Sequence, residues 1–331
     1  MNADIASATH PSEPKVSGAL LRRFLFPAAA AAVLLPFVSP GAALLLGMLI
    51  ALTVGNPYAL EASRFITPLL QISVIGLGAG MNLAVVGRVG VHGFVYTVVG
   101  ITLTMALGML LGRLIRTERD TSLLLCVGTA ICGGSAIAAV APAIRAKHHN
   151  VSVALATVFF LNAVALFAFP WIGHRLSLSQ TQFGLWSALA IHDTSSVVGA
   201  TMQYGARALE IGTTVKLTRA LWIVPVTIFI GMLWNRGSEH QTNQKVKRPW
   251  FILGFVAAAA LVTWVPALKP AGHLVFIGAQ RALVVTLFLI GGGLSRAALK
   301  TVGQRPLVQG FALWIVMGSA TLGAILLGWI A

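Results

Sequence analysis

The chain has 331 residues, of which 57% are hydrophobic and only 9% are charged. A soluble domain of this length does not have such a composition, so we expect a polytopic membrane protein of the all-α class. Lys and Arg total 23 against 8 Asp and Glu. Most of these basic residues lie in short segments between apolar runs, which is the pattern that orients membrane proteins. The sequence has no separate basic domain, so we expect a lipid bilayer and not nucleic acid as the partner.

In chain order, the first feature is a polar N-terminal stretch. Residues 1–20 are predicted to form a disordered cytoplasmic tail, and residues 21–331 a single transmembrane domain. Hydropathy predicts about 9–11 spans, because the first two runs share a Ser-Pro-Gly break and the run 183–203 is a candidate re-entrant segment. The apolar runs lie near 24–39, 41–55, 65–83, 92–112, 121–143, 151–172, 183–203, 212–234, 251–266, 273–295 and 307–330.

The basic residues are distributed unequally when these spans are taken to alternate. Fifteen fall on the side of the N-terminus and eight on the other side, and three of the eight (Lys216, Arg219 and Arg281) lie inside apolar runs. This bias predicts a cytoplasmic N-terminus. The polar loop 235–249 is the candidate hinge between two halves of the domain.

The sequence contains two internal similarities. Residues 130–139 align with residues 190–199, with the apolar and small positions in step, and residues 75–83 resemble residues 288–296. Repeats with glycine-interrupted spans are a mark of secondary transporters, although close helix packing explains the glycines of the second similarity about as well. The two similarities have different spacings and give no single alignment of two halves.

The stretch Gly128–Pro142 is an apolar run interrupted at Gly133, Gly134 and Ser135, where a helix interior is disfavoured. We interpret it as a broken helix. Its second half would expose free N–H groups, which bind an anion with the help of the helix dipole. Thr129 and Ser135 add hydroxyl groups to this predicted substrate site.

Asp193 is the only acidic residue well inside an apolar run, and His192 is next to it. Ionisable groups within the membrane are candidates for function, so this pair is predicted to couple transport to a proton or a cation. The Asp-Thr-Ser-Ser sequence that starts at Asp193 is also strong N-cap chemistry for a half-helix. The two roles are compatible, and Ser195 joins the predicted substrate-binding residues.

Lys216 and Arg219 lie three residues apart at the start of an apolar run, which places both on one helix face. They are predicted to clamp an anion or to pair with Asp193, and a pair that snorkels to the lipid headgroups is the alternative. For Arg281 we favour snorkelling. The adjacent His148 and His149 have no further ligands nearby, so we expect no metal site, and no motif indicates a cofactor.

Together, the stretches 128–142, 190–197, 216–219 and 289–295 resemble the sulfate exporter family of YeiH-type bacterial inner-membrane proteins, which are grouped as uncharacterised. The resemblance extends from about residue 24 to the end. It implies membership of the wider group of bile-acid symporters and cation/proton antiporters, with inverted repeats, two crossed broken helices and an elevator-like motion of a core against a scaffold. Members of that group are often homodimers, which no motif in this chain indicates. By the matching motifs, the site would consist of Gly133, Gly134, Ser135, His192, Asp193, Lys216 and Arg219.

We therefore expect a secondary active transporter of the inner membrane that exports a small anion, such as sulfate or a related sulfur oxyanion, by alternating access. The first alternative is a Na⁺-coupled symporter for an organic acid. The second is an intramembrane serine hydrolase built on Ser135, His192 and Asp193. We do not expect an enzyme, because adjacent His and Asp side chains diverge on a helix and the Asp–His bond of a triad is then awkward.

Overall fold

The computed structural model describes residues 16–234, 250–293 and 303–330, and the regular elements in these ranges are all helical. The first seven helices are α1 (Val16–Ala32), α2 (Pro40–Thr53), α3 (Ala59–Gly78), α4 (Leu83–Ile115), α5 (Arg119–Ala130), α6 (Gly134–Ala143) and α7 (His148–Arg175). The others are α8 (Gln180–Ala190), α9 (Thr194–Tyr204), α10 (Ala206–Ala220), α11 (Ile223–Trp234), α12 (Trp250–Trp264), α13 (Lys269–Gly293) and α14 (Gln304–Leu326).

Six helical segments of the described ranges are long and apolar enough to cross a membrane. They are Ala59–Gly78, Tyr96–Ile115, His148–Arg175, Ala206–Trp234, Pro266–Gly293 and Gln304–Leu326. The prediction of an all-α polytopic membrane protein is confirmed. Helix α1 begins at Val16, inside the stretch that was assigned to the tail. Residues 1–15, the hinge loop 235–249 and the end of the second internal similarity (294–302) lie outside the described residues.

The first broken helix, α5–α6, is a hairpin that returns to the face where it began. Asn150, in the first turn of α7, donates from Nδ2 to Oε1 of Glu118 at the start of α5, over 2.8 Å. Deeper in the protein, a side chain at Gly310 would contact both Thr157 of α7 and Leu125 of α5. Helices α5 and α7 therefore run side by side in one direction, and α6 must lead back. We call α5–α6 hairpin 1, and the face where it begins face A.

The second broken helix, α8–α9, is a hairpin that enters from the opposite face. The Tyr204 hydroxyl at the end of α9 donates to the carbonyl of Leu178 just before α8, over 2.7 Å. The backbone N–H of Arg207 donates to Oε1 of Gln180 over 2.9 Å, so α10 also begins at this face. We call α8–α9 hairpin 2 and this face, where α7 ends, face B. Helix α7 has 28 residues and therefore separates the two faces by about 42 Å.

The two hairpins correct the alternation of spans that was expected from the sequence. Residues 121–143 turn back to the face where they begin, and so does the candidate re-entrant segment near 183–203. Arg145 and Lys147 therefore move to face A, and Arg175 moves to face B. Among the described residues, nine basic residues lie toward face A and five toward face B, and Lys216 and Arg219 are buried between them. Alternating spans put eight of these same residues on each side.

The first internal similarity predicted from the sequence coincides with the two hairpins residue by residue. Hairpin 1 has its first arm ending at Ala130 and its second arm beginning at Gly134. Hairpin 2 has its first arm ending at Ala190 and its second arm beginning at Thr194, 60 positions later in each case. Each hairpin is followed by a long helical segment, α7 or α10–α11. The two halves of this central region therefore have the same order of elements and opposite directions in the membrane.

Glycines allow the helices outside this central region to pack closely. A side chain at Gly47 of α2 would collide with the backbone of Phe288 in α13, and one at Gly78 of α3 with the backbone of Phe255 in α12. Close packing therefore accounts for Gly78, in the glycine run whose role the sequence left open. We call α2, α3, α12 and α13 the scaffold. Hairpin 2 contacts it, since a side chain at Gly199 of α9 would lie 2.9 Å from Leu287 of α13.

Candidate functional site

The tips of the two hairpins meet in the middle of the protein. A methyl group on Gly133 of hairpin 1 would lie 3.0 Å from Cβ of Asp193 in hairpin 2, and 3.4 Å from Cγ1 of Val158. Asn162 binds hairpin 2 from the next turn of α7. Residues 158–162 lie halfway along α7, so the tips meet about midway between the two faces.

Gly133 is required at the tip of hairpin 1 for two reasons. Its φ of 64° and ψ of −126° lie in a region that residues with a side chain avoid. A side chain there would also make a tight contact with Asp193, at 3.0 Å from its Cβ. The Gly-Gly-Ser composition alone predicts the break at this position.

Asp193 is the N-cap of α9, and its carboxylate accepts hydrogen bonds from four donors. These are the Ser195 hydroxyl (2.7 and 3.0 Å), the backbone N–H of Ser196 (2.9 Å), the Ser196 hydroxyl (3.1 Å) and Nδ2 of Asn162 (3.3 Å). Asn162 also accepts from the backbone N–H of His192 over 3.2 Å, so this one amide holds both residues of the predicted coupling pair. Both oxygens of this carboxylate are therefore engaged in hydrogen bonds.

Lys216 and Arg219 are buried, at 0% and 2% exposure, and their donors point at backbone carbonyls. Lys216 Nζ donates to the carbonyl of Ile191 over 2.6 Å. Arg219 donates through Nη1 to Ala188 and Leu189 at the end of α8, and through Nη2 to Ala130 at the end of α5. The two cations therefore cover the negative ends of the first arms of both hairpins. Within the described ranges, neither Lys216 nor Arg219 forms an ion pair with Asp193.

Four half-helix ends meet at the hairpin tips, and they differ in the side chains that cap them. Lys216 and Arg219 cover the two negative ends, and Asp193 caps the positive end of α9. The positive end of α6 has no side-chain cap. It begins at Gly134, which is half-buried, and Ser135, which is exposed, so it is also the accessible end of the four.

Several buried polar atoms around the tips have no hydrogen-bond partner among the residues that the structure describes. They include both ring nitrogens of His192, Oγ1 of Thr129 and Nε of Arg219. An unsatisfied buried polar group costs about 1–3 kcal/mol. Groups of this kind at one place are what a site for water, a proton or a ligand requires.

The structure brings together all of the residues that the sequence predicted for the site. Thr129, Gly133, Gly134 and Ser135 belong to hairpin 1, and His192, Asp193 and Ser195 belong to hairpin 2. From α10, Lys216 reaches hairpin 2 and Arg219 reaches both hairpins. Asn162 was weighed from the sequence as interhelical glue or a ligand, and it is the organiser of hairpin 2. Arg281, for which snorkelling was predicted, instead donates to the carbonyls of Leu35, Pro36 and Val38 near the end of α1.

Comparison with known proteins places the chain in a family of membrane proteins. The family model described as Conserved hypothetical protein 698 matches residues 26–310. This chain belongs to that family. It is 64% identical over 311 residues to a UPF0324 membrane protein of Bdellovibrio bacteriovorus, a match that covers 94% of this chain and 96% of the relative.

Two relatives of lower identity also match most of this chain. A UPF0324 membrane protein of Geobacter sulfurreducens is 49% identical over 317 residues, covering 96% of this chain and all of the relative. One from Vibrio parahaemolyticus is 46% identical over 294 residues, covering 89% and 95%. No solved structure matches the chain. The names of these relatives place them in membranes and state no substrate.

Proposed function

We propose that this protein is a secondary active transporter of the bacterial inner membrane, which exports a small anion such as sulfate or a related sulfur oxyanion by alternating access. The observation that carries the proposal is the uncapped N-terminus of α6 at the centre of the protein. A positive helix end with free N–H groups is a ready anion site. Ser135 supplies a hydroxyl group in the first turn of α6, and the buried hydroxyl of Thr129 at the end of α5 is a second candidate ligand.

The charge balance of the hairpin tips also favours an anion. Two buried cations, Lys216 and Arg219, face one carboxylate, Asp193. Burying an excess positive charge is costly unless it is paired. The backbone carbonyls cover the cations in part, and a bound anion would complete the neutralisation.

We assign the coupling of transport to a proton to His192, and we assign to Asp193 the role of the helix cap. The Asp193 carboxylate already accepts hydrogen bonds from Ser195, Ser196 and Asn162, which fixes it in place as a charged cap. Both ring nitrogens of His192 are buried without a partner, so a proton gained or lost there breaks no existing bond. His192 is therefore the residue that takes up and releases a proton during the cycle.

Alternating access is supported by the opposite directions of the two hairpins. Hairpin 1 with α7 and hairpin 2 with α10–α11 are treated as an inner pair of inverted repeats. The flanking helices α2–α4 and α12–α14 are treated as an outer pair. Because the outer repeats are separated by the inner ones, the two internal similarities have different spacings. It fits a transporter whose central site opens to each face by exchange of the two repeats' conformations.

The alternatives are less well supported by the same site. A Na⁺-coupled symporter would use unwound carbonyls and half-helix C-termini to bind the cation. Those carbonyls, at Ala130, Ala188 and Ile191, are occupied by Arg219 and Lys216. For a hydrolase, the side chains that donate to the Asp193 carboxylate are those of Ser195, Ser196 and Asn162. His192 is not among them, which counts against the Asp–His pair of a triad.

A charge introduced at the α6 terminus tests the proposal. Ser135→Asp puts a carboxylate where the anion would bind, and an acidic residue in the first turn of a helix is stabilising. We expect this variant to fold, to melt at or above the wild-type temperature, and to lose both the stabilisation by sulfate, sulfite or thiosulfate and transport into proteoliposomes. A ligand at about 100 times its Kd stabilises a protein by about 2.7 kcal/mol, so the wild-type effect is measurable.

The matched control is Ser135→Asn, which has a similar shape and no charge. We expect it to retain most of the anion-dependent stabilisation. If Ser135→Asp bound and transported these anions like the wild type, the α6 terminus would not be the anion site. Stabilisation of the wild type by Na⁺ or a carboxylic acid alone would support the symporter instead.

A further inference from the structure

A cationic cavity lies at face A, away from the hairpin tips. Its volume is about 340 Å³, and it lies where the α4–α5 turn meets the first turns of α7 and α14. The ionisable residues that line it are Arg116, Glu118, His149 and Arg305, with Asn150 beside them. Helix α5 has 12 residues, so the cavity is about 18 Å from the tip of hairpin 1.

The charges around this cavity are predominantly positive. Arg305 Nη1 lies 3.4 Å from the backbone carbonyl of Arg116, so the two arginines are neighbours. Among the described residues, neither arginine forms an ion pair. Glu118 is the one carboxylate of the lining, and it accepts the hydrogen bond from Asn150. Two arginines against one carboxylate leave the lining with an excess positive charge, which a bound anion would offset.

The backbone adds further positive potential. Helices α5, α7 and α14 all begin at the cavity, and no side chain caps the N-terminus of any of them. The first turns of α7 and α14 contain no acidic residue, and they carry His149 and Arg305 instead. A cation in the first turn of a helix opposes the helix dipole, so this placement favours a ligand of negative charge.

We propose that the cavity binds an oxyanion of the phosphate or sulfate type, held by Arg116 and Arg305 with His149 at its side. The volume is in the range of small-molecule sites and is larger than one inorganic phosphate needs. It fits a small phosphate ester or the headgroup of an anionic lipid, which present the same chemistry. A ligand there joins the base of hairpin 1 to α7 and α14. The proposal does not depend on the anion site at the hairpin tips.

Binding to the purified full-length protein in detergent tests this site. Inorganic phosphate is titrated by calorimetry at constant ionic strength, and phosphatidylglycerol is added against phosphatidylcholine in native mass spectrometry. We expect Arg116→Gln with Arg305→Gln to weaken binding of the phosphate or of phosphatidylglycerol at least about tenfold, since a lost charge-assisted hydrogen bond is worth about that factor. Both side chains are exposed at the cavity mouth, so the variant is expected to fold.

The control is Arg64→Gln with Arg175→Gln, which removes the same charge at exposed positions outside the cavity. It should bind within about twofold of the wild type, since exposed charges act weakly at a distance in salt. Loss of phosphate binding identifies a free oxyanion as the ligand, and loss of phosphatidylglycerol binding alone identifies a headgroup. The cavity site should persist in Ser135→Asp. Equal binding by the cavity variant and the wild type, or no binding of either probe by the wild type, would overturn the proposal.

Discussion

Arg219 joins the two hairpins at the scale of a single residue. Its guanidinium group reaches Leu189 in hairpin 2 and Ala130 in hairpin 1, and a planar fork of donors is suited to two acceptors at once. Gly133 has the complementary role, since it lets the backbones of the two tips approach. We therefore expect both Arg219→Lys and Gly133→Ala to destabilise the protein.

We expect Arg219→Lys to lower the free energy of unfolding in detergent by about 1–3 kcal/mol, because an ammonium group reaches one helix end and leaves buried carbonyls at the other without a donor. Arg207→Lys is the control, since its ion pair with Glu210 is half-exposed and worth at most about 1 kcal/mol. Equal effects of the two substitutions in thermal or urea unfolding would show that Arg219 does not bridge the hairpins.

Gly133→Ala is expected to destabilise the protein by about 1–3 kcal/mol, since the side chain forces an unfavourable φ and a contact with Asp193. The comparison is Gly100→Ala in α4, where a methyl group meets nothing within 4 Å and alanine favours the helix by about 1 kcal/mol. The two variants should therefore shift the melting temperature in opposite directions. A shift in the same direction would contradict the backbone geometry at Gly133.

His192→Gln is expected to remove the pH dependence of transport while anion binding persists. The ring nitrogens of His192 have no partner in the protein, so the amide keeps the polarity of the site and cannot exchange a proton. The measurement is the transport rate in proteoliposomes as a function of pH, for the variant and for the wild type. A variant that keeps the wild-type pH profile would exclude His192 as the coupling residue.

Hairpins 1 and 2 are the units of function at the scale of elements. Each has two arms of 10 to 12 residues, which span about 15–18 Å and are too short to cross a bilayer core of about 30 Å. The second arm of hairpin 1 begins at Gly134 without a side-chain cap, whereas that of hairpin 2 is capped by Asp193. Two hairpins that each reach the middle bring four helix ends to one place, which a pair of continuous helices does not do.

Cysteine labelling tests the direction of hairpin 1. In a background with Cys126→Ala and Cys132→Ala, we expect Lys147→Cys and Glu118→Cys to react with an impermeant maleimide from one side of the membrane, and Leu176→Cys from the other. All three positions are exposed. If Lys147→Cys reacted from the same side as Leu176→Cys, residues 119–143 would cross the membrane and the hairpin would not exist.

At the scale of the whole molecule, a nested order of elements surrounds the site. The scaffold helices come from both ends of the chain, and the two hairpins with α7, α10 and α11 come from the middle. Among the described residues, face A carries nine basic residues against five on face B, so we expect face A to be cytoplasmic. The C-terminal end of α14 would then lie on the opposite side of the membrane.

Reporter fusions test this orientation. We expect alkaline phosphatase to be active when it is fused after residue 331 and inactive when it is fused within the loop 235–249, with the reverse pattern for a fluorescent protein that matures only in the cytoplasm. The asymmetry of charge is the physical reason. Activity in the loop fusion would place face A outside, and would reverse the direction in which each hairpin opens.

The sequence by itself determined the helical class, the positions of both breaks and the residues around them. Breaks are local: glycines at 133 and 134, and a capping aspartate at 193, disfavour a continuous helix whatever surrounds them. It also identified the alignment of residues 130–139 with 190–199, which the two hairpins reproduce. The partners of Lys216 and Arg219 stayed open, because carbonyls are present in every residue and leave no mark in a sequence.

Only the tertiary structure decided that the broken segments turn back. Two short apolar arms in succession have the same hydropathy as one span, since hydropathy counts apolar residues and carries no direction. The direction depends on where α7 begins, and that is fixed by contacts such as Asn150 with Glu118, which lie 32 residues apart. The same folding brings Arg116 and Arg305 together at face A. No local pattern in the sequence predicts that these two residues are neighbours.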